Sequence, residues 1–441
     1  MATSGAQCQV AVRGTQDVYL LSQNDATFWK TTYARATNAA VAALEMPFNN
    51  AAGFGRQKFT CKVSRSGDLL SSMYIAVSLP RIQYPAPIGG ISLYNPAAAP
   101  ASYAHWVNAV GHAMFQEIDV NIGQHEFDTH YSEYSEMFES LTAPSDRLMS
   151  EMTGRYASPA ACAQASLLDQ QLYVPLKFWF NRFTEQSLPL VALYWHDVEL
   201  TFSTKSRAQL FSASGAAAAD LALPAPTITV PNDVSDMHLL CNLVYLDRPE
   251  RAAFANSKSE YIIDQVQFLG TEAVTATATT VNHNARFNHP VTDIIWAIRQ
   301  NASTAANDWF NFGGADAVIP NIAGVAITTD PFASAQILIN NHERTIDHPA
   351  VYYRTVQPWE HHSRVPAADR FVYSYSFGLK PEELLHTGSV NMSRLDSAYL
   401  RVTYHGTDPI NPAINGNFFL FARNKNVMKV TVGMAGLKFA A

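Results

Sequence analysis

The sequence predicts an all-β protein built as two tandem units, and three features predict it. Phe (24) and Tyr (19) are abundant, and Val and Thr recur in short runs; these side chains fit a pleated, half-buried surface. Apolar or alternating segments, most of about five to eight residues, recur between Gly, Pro, Asn and Asp, which is the length and punctuation of strands. The third feature is an internal echo between the two halves of the 441 residues.

In chain order, strands are predicted over Asp17–Leu21, Lys58–Val63, Met73–Leu79, Phe115–Ile122, Tyr173–Phe180 and Leu190–Phe202. The second half repeats the pattern over Leu239–Leu246, Tyr261–Phe268, Asp293–Ile298, Gln336–Ile339, Phe371–Phe377 and Ala398–Tyr404. Two final runs, Phe418–Ala422 and Val427–Val432, flank Asn424-Lys425-Asn426, and Gly433-Met434-Ala435-Gly436 reads as a turn before a last short strand. Helical periodicity is scarce. Its best instance is Asp128–Leu141, with an acid-rich polar face. Long loops are expected over Arg81–Ala104, Thr142–Gln170, Asn301–Ser334 and Pro358–Asp369, and loops of that length in a compact domain are usually functional.

The echo has three parts. Val120–His130 resembles Leu338–His348: an apolar strand, a tight turn containing Gly or Asn, His-Glu, then Asp and His, with His125 and His342 lying 217 positions apart. Leu190–Asp197 has a counterpart in Val390–Asp396, and Leu69–Val77 in Val291–Ile298. Three matches in one order, at offsets near 200, indicate a duplicated unit, and a jelly roll of eight strands fits its length. The predicted organisation is an N-terminal arm and first jelly roll over 1–211, a linker over the Ala-rich stretch 212–226, and a second jelly roll over 227–441, with a few short helices in the loops.

Composition narrows the function. Hydrophobic residues make up 48% of the chain and charged ones 15%, against about 25% charged in ordinary soluble domains; a surface so poor in charge is suited to burial against partners. The net charge of −7 lacks the basic stripe or tail of a protein that coats nucleic acid. The first residues have no basic segment followed by an apolar core, so no signal peptide is expected. The uncharged stretch Ile82–Gln116 is broken by Pro85, Pro87, Pro96 and Pro100 and cannot form a spanning helix. Cys8, Cys61, Cys162 and Cys241 are too dispersed for a metal or redox motif and are expected as free thiols.

No motif of catalysis survives inspection. The histidines of His125-Glu126-Phe127-Asp128-Thr129-His130 are five apart and follow a strand, whereas a zinc site of the HExxH type needs them four apart on a helix. Those of His342–His348 are six apart. Glu360-His361-His362 lacks a placed third ligand. Nucleophile-elbow and P-loop motifs are absent, and Trp195-His196-Asp197 reads as strand, core plus a satisfied polar group. No enzyme, cofactor or metal is expected. Of the two sequons, Asn301-Ala302-Ser303 and Asn391-Met392-Ser393, Asn301 lies in a predicted loop and is the better glycosylation candidate.

A series of motifs then runs along the chain. It includes Gly14–Leu20 with Thr27-Phe28-Trp29-Lys30, Phe54-Gly55, and Ser64-Arg65-Ser66-Gly67-Asp68-Leu69. It continues through Ile122, Gly123, Asp128, His130 and Tyr131, then Tyr173-Val174-Pro175-Leu176, Leu246-Asp247, Asn288-His289-Pro290 and Tyr373–Phe377. It ends in Asn424, Asn426, Val427, Met428, Val430, Gly433, Met434, Gly436 and Leu437. The order resembles that of the major capsid proteins of the nucleocytoplasmic large DNA viruses of eukaryotes. That resemblance implies a double jelly roll that forms homotrimers, pseudo-hexagonal capsomers tiling an icosahedral shell. It further implies neighbouring capsomers, penton and minor capsid proteins as partners, an internal membrane close by, and a virion protein assembled in the host cytoplasm. The competing reading is a lectin-like or spike coat protein that uses its jelly rolls to bind surface glycans.

Overall fold

The computed structural model describes residues 36–83, 104–143, 149–156, 159–213, 228–313, 316–318, 326–367, 370–405 and 413–439. Met1–Ala39 and Ala40–Ala441 form separate units. The strand predicted at Asp17–Leu21, Cys8 and most of the 212–226 and 81–104 segments lie outside the described residues.

Sixteen of the described strands build four sheets. In the first half these are β1 (Ala39–Met46), β2 (Phe59–Lys62), β3 (Leu69–Leu79), β4 (Phe115–Ile122), β5 (His125–Tyr131), β6 (Gln170–Pro175), β7 (Val198–Thr204) and β8 (Asp236–Leu246). The second half has β9 (Ser259–Phe268), β10 (Thr280–Asn284), β11 (Pro290–Gln300), β12 (Phe332–Ile339), β13 (His342–Glu343), β14 (Tyr373–Ser376), β15 (Ala398–Tyr404) and β16 (Gly416–Thr431). Sheet orders are β1-β8-β3-β6 and β2-β7-β4-β5, then β9-β16-β11-β14 and β10-β15-β12-β13. The second pair repeats the first with every strand number raised by eight, and each is the double-sheet arrangement of a jelly roll. The protein is thus all-β with two tandem jelly rolls.

The repetition reaches the register. β7 and β15 both bury alternate residues, starting with the first, as a strand between core and solvent should. β4 and β12 are eight residues each, and each breaks its pairing at the same place, between Phe115 and Glu117 and between Phe332 and Ser334. The turns that follow, Gly123-Gln124 and Asn340-Asn341, have positive φ at both positions (59° and 70°, 50° and 61°), which matches the twist of a two-residue hairpin.

Several expectations need correction. The helix predicted from Asp128 begins at Ser132 (α1, Ser132–Thr142), because residues 128–131 complete the pairing of β5 with β4. The strand predicted over Tyr173–Phe180 ends at Pro175, and Trp179–Arg182 is a helical turn. Leu190–Ala192 is a 3₁₀ turn, so the strand predicted from Leu190 starts at Val198. Asn424-Lys425-Asn426 does not interrupt anything: β16 runs through it without a break. The last turn is Val432-Gly433, at φ 51° and 82°, and Met434–Leu437 is itself the final strand, β17, paired to β16. The expected loops 142–170 and 301–334 contain the short helices Met149–Thr153, Pro159–Ala165 and Asn301–Ala305. Finally, β8 lies beyond the stretch read as a linker yet pairs with β3 of the first barrel over Asp236–Val244. After β8 comes α2 (Arg248–Asn256), capped by the Asp247 carboxylate accepting from Arg248 N.

The barrels stand side by side with the same polarity. Equivalent connections touch: Arg364 N, between β13 and β14, donates to Leu141 O, between β5 and β6 (2.9 Å). At the other end Trp195 N donates to Gly433 O (3.0 Å). Cys61, Cys162 and Cys241 are free and buried, and burial pushes the Cys61 thiol up to about 11.

Two turns yield opposite expectations for chemical denaturation. A Cβ at Gly123 would overlap the His196 ring, in a left-handed backbone, so Gly123→Ala should cost about 2 kcal/mol. Val432 is β-branched, exposed and left-handed; Val432→Asn should stabilise by about 1 kcal/mol.

Candidate assembly site: the junction between the barrels

The two barrels are joined through α1, whose sequence has two faces. Tyr134, Met137, Phe138 and Leu141 fall at helical spacing and are buried. Glu136 and Glu139 of the other face are buried too and Glu133 is half-buried, each matched to a cation. Glu133 accepts from Arg299 of the second barrel (2.8 Å), Glu136 pairs with Arg155, His112 (2.8 Å) and Arg370 (2.8 Å), and Glu139 pairs with Lys177. Burial raises the Glu136 carboxyl, but Arg155, His112 and Arg370 more than offset it and hold it below the usual range. The acid-rich face seen in the sequence is therefore an interface, not a solvated surface.

Phe138 is the centre of the contact. Arg182 from the first barrel and Arg423 from the second lie over its ring, 5.1 and 5.0 Å from the centroid. Arg423 donates to Asp293 Oδ1 (2.9 Å) and to Pro381 O (2.9 Å). Arg182 donates to Asp264 Oδ2 (2.9 Å) and to Glu382 O (2.8 Å), and Lys425 reaches Asp264 Oδ1 (2.5 Å). Burial opposes ionisation of Asp264, yet Lys425 and Arg182 keep its carboxyl below its ordinary value. Burial likewise opposes the Arg423 charge, and Asp293 raises its pKa all the same. Around the charges sits an aromatic layer, with Tyr131 against Phe268 (5.0 Å) and Tyr134 against Phe421 (5.7 Å).

The free edge of the second barrel is sealed in the same contact. β9 is the outer strand of its sheet, and an open edge invites pairing with another chain. Val266 N donates to Asp128 Oδ1 (2.8 Å), Gln186 Nε2 donates to Ile262 O (2.7 Å), and Gln265 Nε2 donates to Phe127 O (2.5 Å). Asp128 is itself paired with His130 Nε2 (3.0 Å); burial pushes its carboxyl up against that pairing.

The residues singled out in the sequence fall as follows. His125, Glu126, His342 and Glu343 are exposed beside hairpin turns, and among the described residues no group of three or more His, Cys, Asp or Glu is placed to hold a metal. His362 pairs with Glu382 (2.7 Å). Trp195 is 70% exposed in a bend, not core; Asp197 pairs with Lys62 (2.5 Å) and Arg65 (2.6 Å), and His196 Nδ1 accepts from Ala435 N (3.2 Å). Asn301 is exposed, and its Nδ2 donates to Asn415 Oδ1 (3.1 Å). Asn391 instead accepts from Ser393 N. Sequence reasoning missed Arg182, Asp264, Asp293 and Arg423. The available signal was four successive polar residues, Arg423 to Asn426, inside an otherwise apolar strand.

Removing one partner of this cluster strands a buried charge. Arg423→Met should lower unfolding stability by about 3–5 kcal/mol, while Arg423→Met with Asp293→Leu should recover most of it; denaturant titration of the two variants checks the difference.

Comparison with known proteins agrees with this two-barrel plan. Residues 27–247 match the model of the major capsid protein N-terminus, and residues 250–436 match that of the large eukaryotic DNA virus major capsid protein. The major capsid protein of Pyramimonas orientalis virus is 30% identical over 460 residues, covering 99% of both chains. That of Paramecium bursaria Chlorella virus 1 is 30% identical over 473 residues, covering 99% of this chain and 100% of the other. The solved structure of PBCV-1 VP54 superposes with a TM-score of 0.73 at 26% identity, over 94% of this chain and 100% of that one. The Faustovirus major capsid protein shares the fold at 12% identity and a TM-score of 0.69, over 97% of each chain. The chain belongs to the major capsid protein family of large eukaryotic DNA viruses and is a structural component of the virion shell.

Proposed function

We propose that three copies of the chain close into a pseudo-hexagonal capsomer, and that these capsomers tile an icosahedral shell. The carrying observation is the pair of barrels with the same strand order, register and polarity, fixed to each other by the ion pairs Arg182–Asp264 and Glu133–Arg299. Such a pair supplies two near-equivalent columns, and three pairs supply six. A threefold contact is heterologous and closes as a ring.

The remaining partners follow from the same reading. Neighbouring capsomers, penton proteins and minor capsid proteins beneath the shell would bind the outer surfaces, where large apolar side chains such as Trp195, Trp359 and Leu385 are exposed. The chain would sit above an internal membrane without entering it by a helix; no described helix is long and apolar enough to cross one. With a net charge of −7 it would leave the genome to other proteins. Its role is structural rather than catalytic, and assembly would take place in the host cytoplasm. In this reading the first barrel runs through β8 and the boundary falls after Leu246, which the pairing of β8 with β3 supports. Asn301, exposed in its sequon, would be the site for a glycan.

Light scattering on the purified protein should give three times 48.5 kDa, with a hexagonal outline on imaging the same peak. A stable monomer or dimer that never assembles would sink the proposal.

A further inference from the structure

One buried histidine of the second barrel has both ring nitrogens engaged. His283 lies on β10, 1% exposed, with its ring stacked on Phe418 of β16 (centroids 3.7 Å apart, 11° between the planes). Its Nδ1 faces Glu272 Oε2 (2.5 Å) and its Nε2 faces the Tyr404 hydroxyl (2.7 Å). Asn284 N donates to the other carboxylate oxygen, Glu272 Oε1 (3.2 Å). Glu272 belongs to the short strand Glu272–Val274, which pairs with β16, whereas His283 and Tyr404 stand on β10 and β15 of the opposite sheet. The three side chains therefore tie the two sheets together at the end of the barrel where β16 begins.

The first barrel fills the equivalent place with neutral side chains. β10 and β15 align with β2 and β7, since Cys61 pairs with Leu200 as His283 pairs with Leu400. Cys61 is as deeply buried as His283, and Thr204, in the place of Tyr404, donates its hydroxyl to Gly53 O (2.7 Å). Packing at this position thus needs no imidazole, and the network adds something that a jelly roll does not require.

The protons show what it adds. With the Glu272 carboxylate accepting from Nδ1–H, a neutral ring has only a lone pair at Nε2, so the Tyr404 hydroxyl donates to it. A proton added at Nε2 turns that acceptor into a donor and sets two hydrogens against each other unless the hydroxyl turns away. Tyr404 is buried, and His283 is the partner of its hydroxyl among the described residues, so the turned hydrogen would go unbonded in the core. Among the described residues Glu272 is the one charged group acting on the ring. β16 presents Phe418, β15 presents Leu400 and Tyr404, and Arg401 lies on the outer face, where it donates to Asn282 Oδ1 (3.1 Å). Burial outweighs Glu272 and holds the His283 pKa below its ordinary value. A histidine held low in the folded state contributes stability that is fully present above its ordinary value of 6.5 and is lost as the pH falls through the folded one.

We propose that Glu272, His283 and Tyr404 form an acid-released latch: protonation of His283 frees the Glu272–Val274 strand and β10 from this end of the second barrel, while the rest of the fold stays closed.

Amide hydrogen exchange of the full chain, read by mass spectrometry on peptides spanning residues 272–284 and corrected for the intrinsic pH dependence of exchange, tests the latch. Between about pH 7.5 and about pH 5.5, exchange in the wild type should rise severalfold, up to the roughly tenfold ceiling that one proton sets over that range. Peptides from β4 and β11 should stay protected. His283→Gln does not titrate and should show no rise. Glu272→Gln keeps an acceptor for Nδ1–H but removes the charge that favours the imidazolium, so its rise should be at least as large as that of the wild type. Wild-type protection that does not change with pH overturns the latch. So does an equal rise in His283→Gln, or a flat response in Glu272→Gln, which would assign the titration to the carboxylate. If His283→Gln does not fold, the wild type and Glu272→Gln still decide.

Discussion

The buried charges around Phe138 are what the rest of the architecture depends on. Two jelly rolls in one chain could sit in many relative orientations if apolar surface alone joined them. The pairs Arg182–Asp264, Glu133–Arg299 and Glu136–Arg370, which cross from one barrel to the other, remove that freedom. Buried ions are costly unless geometry and hydrogen bonds are right, so a barrel rotated out of position would leave charge unpaired in a dry interface. Apolar packing alone would tolerate a slide of an ångström or two; arginines that stack on Phe138 and each donate to a carboxylate and a backbone carbonyl do not. The chain has few charges overall, and it places several of them where orientation is decided.

At equivalent positions of the repeat, such charges stand in one half only. Beside the register break between β8 and β3, Asn242 donates to Ser72 Oγ (2.6 Å), a neutral and partly exposed pair. Beside the corresponding break between β16 and β11 stand Arg423 and Asp293, fully buried. The surroundings differ in the same sense: Phe418 to Asn426 of β16 are buried without alternation, whereas β8 alternates between buried and half-buried residues. A strand covered on both faces has no solvent side, and in β16 the second face is supplied by α1 and its neighbours. Duplicated barrels thus diverged according to what covers them.

This also explains what could be read from the sequence. Phe115–Ile122 and Ala398–Tyr404 were legible to the residue, because one face of each is core and the other is not. The echo of His125 and His342 was legible because the turn that precedes each needs residues tolerant of positive φ. β16 was misread as two runs because burial on both faces makes polar residues look like a break, when they are paired with partners more than a hundred positions away. The placement of β8 escaped for a related reason: its pairing with β3 spans some 170 residues, and no local pattern reports which barrel a strand will join. Trp195 was read as core because a strand was expected over Leu190–Phe202; a 3₁₀ turn and a bend stand there instead and leave it exposed.

A hierarchy of contacts follows from these differences. The junction within the chain combines buried ion pairs, aromatic packing and a sealed strand edge, and it forms without any loss of translational freedom. Contacts between chains must offset that entropy and have to remain reversible while a shell corrects its errors. Exposed apolar side chains such as Trp195, Trp359 and Leu385 suit that task, since their association is non-directional and its strength scales with the area buried, so a small contact costs little to undo. The strong, directional chemistry is spent where the geometry must never change, and the weak chemistry lies where copies must meet, part and meet again.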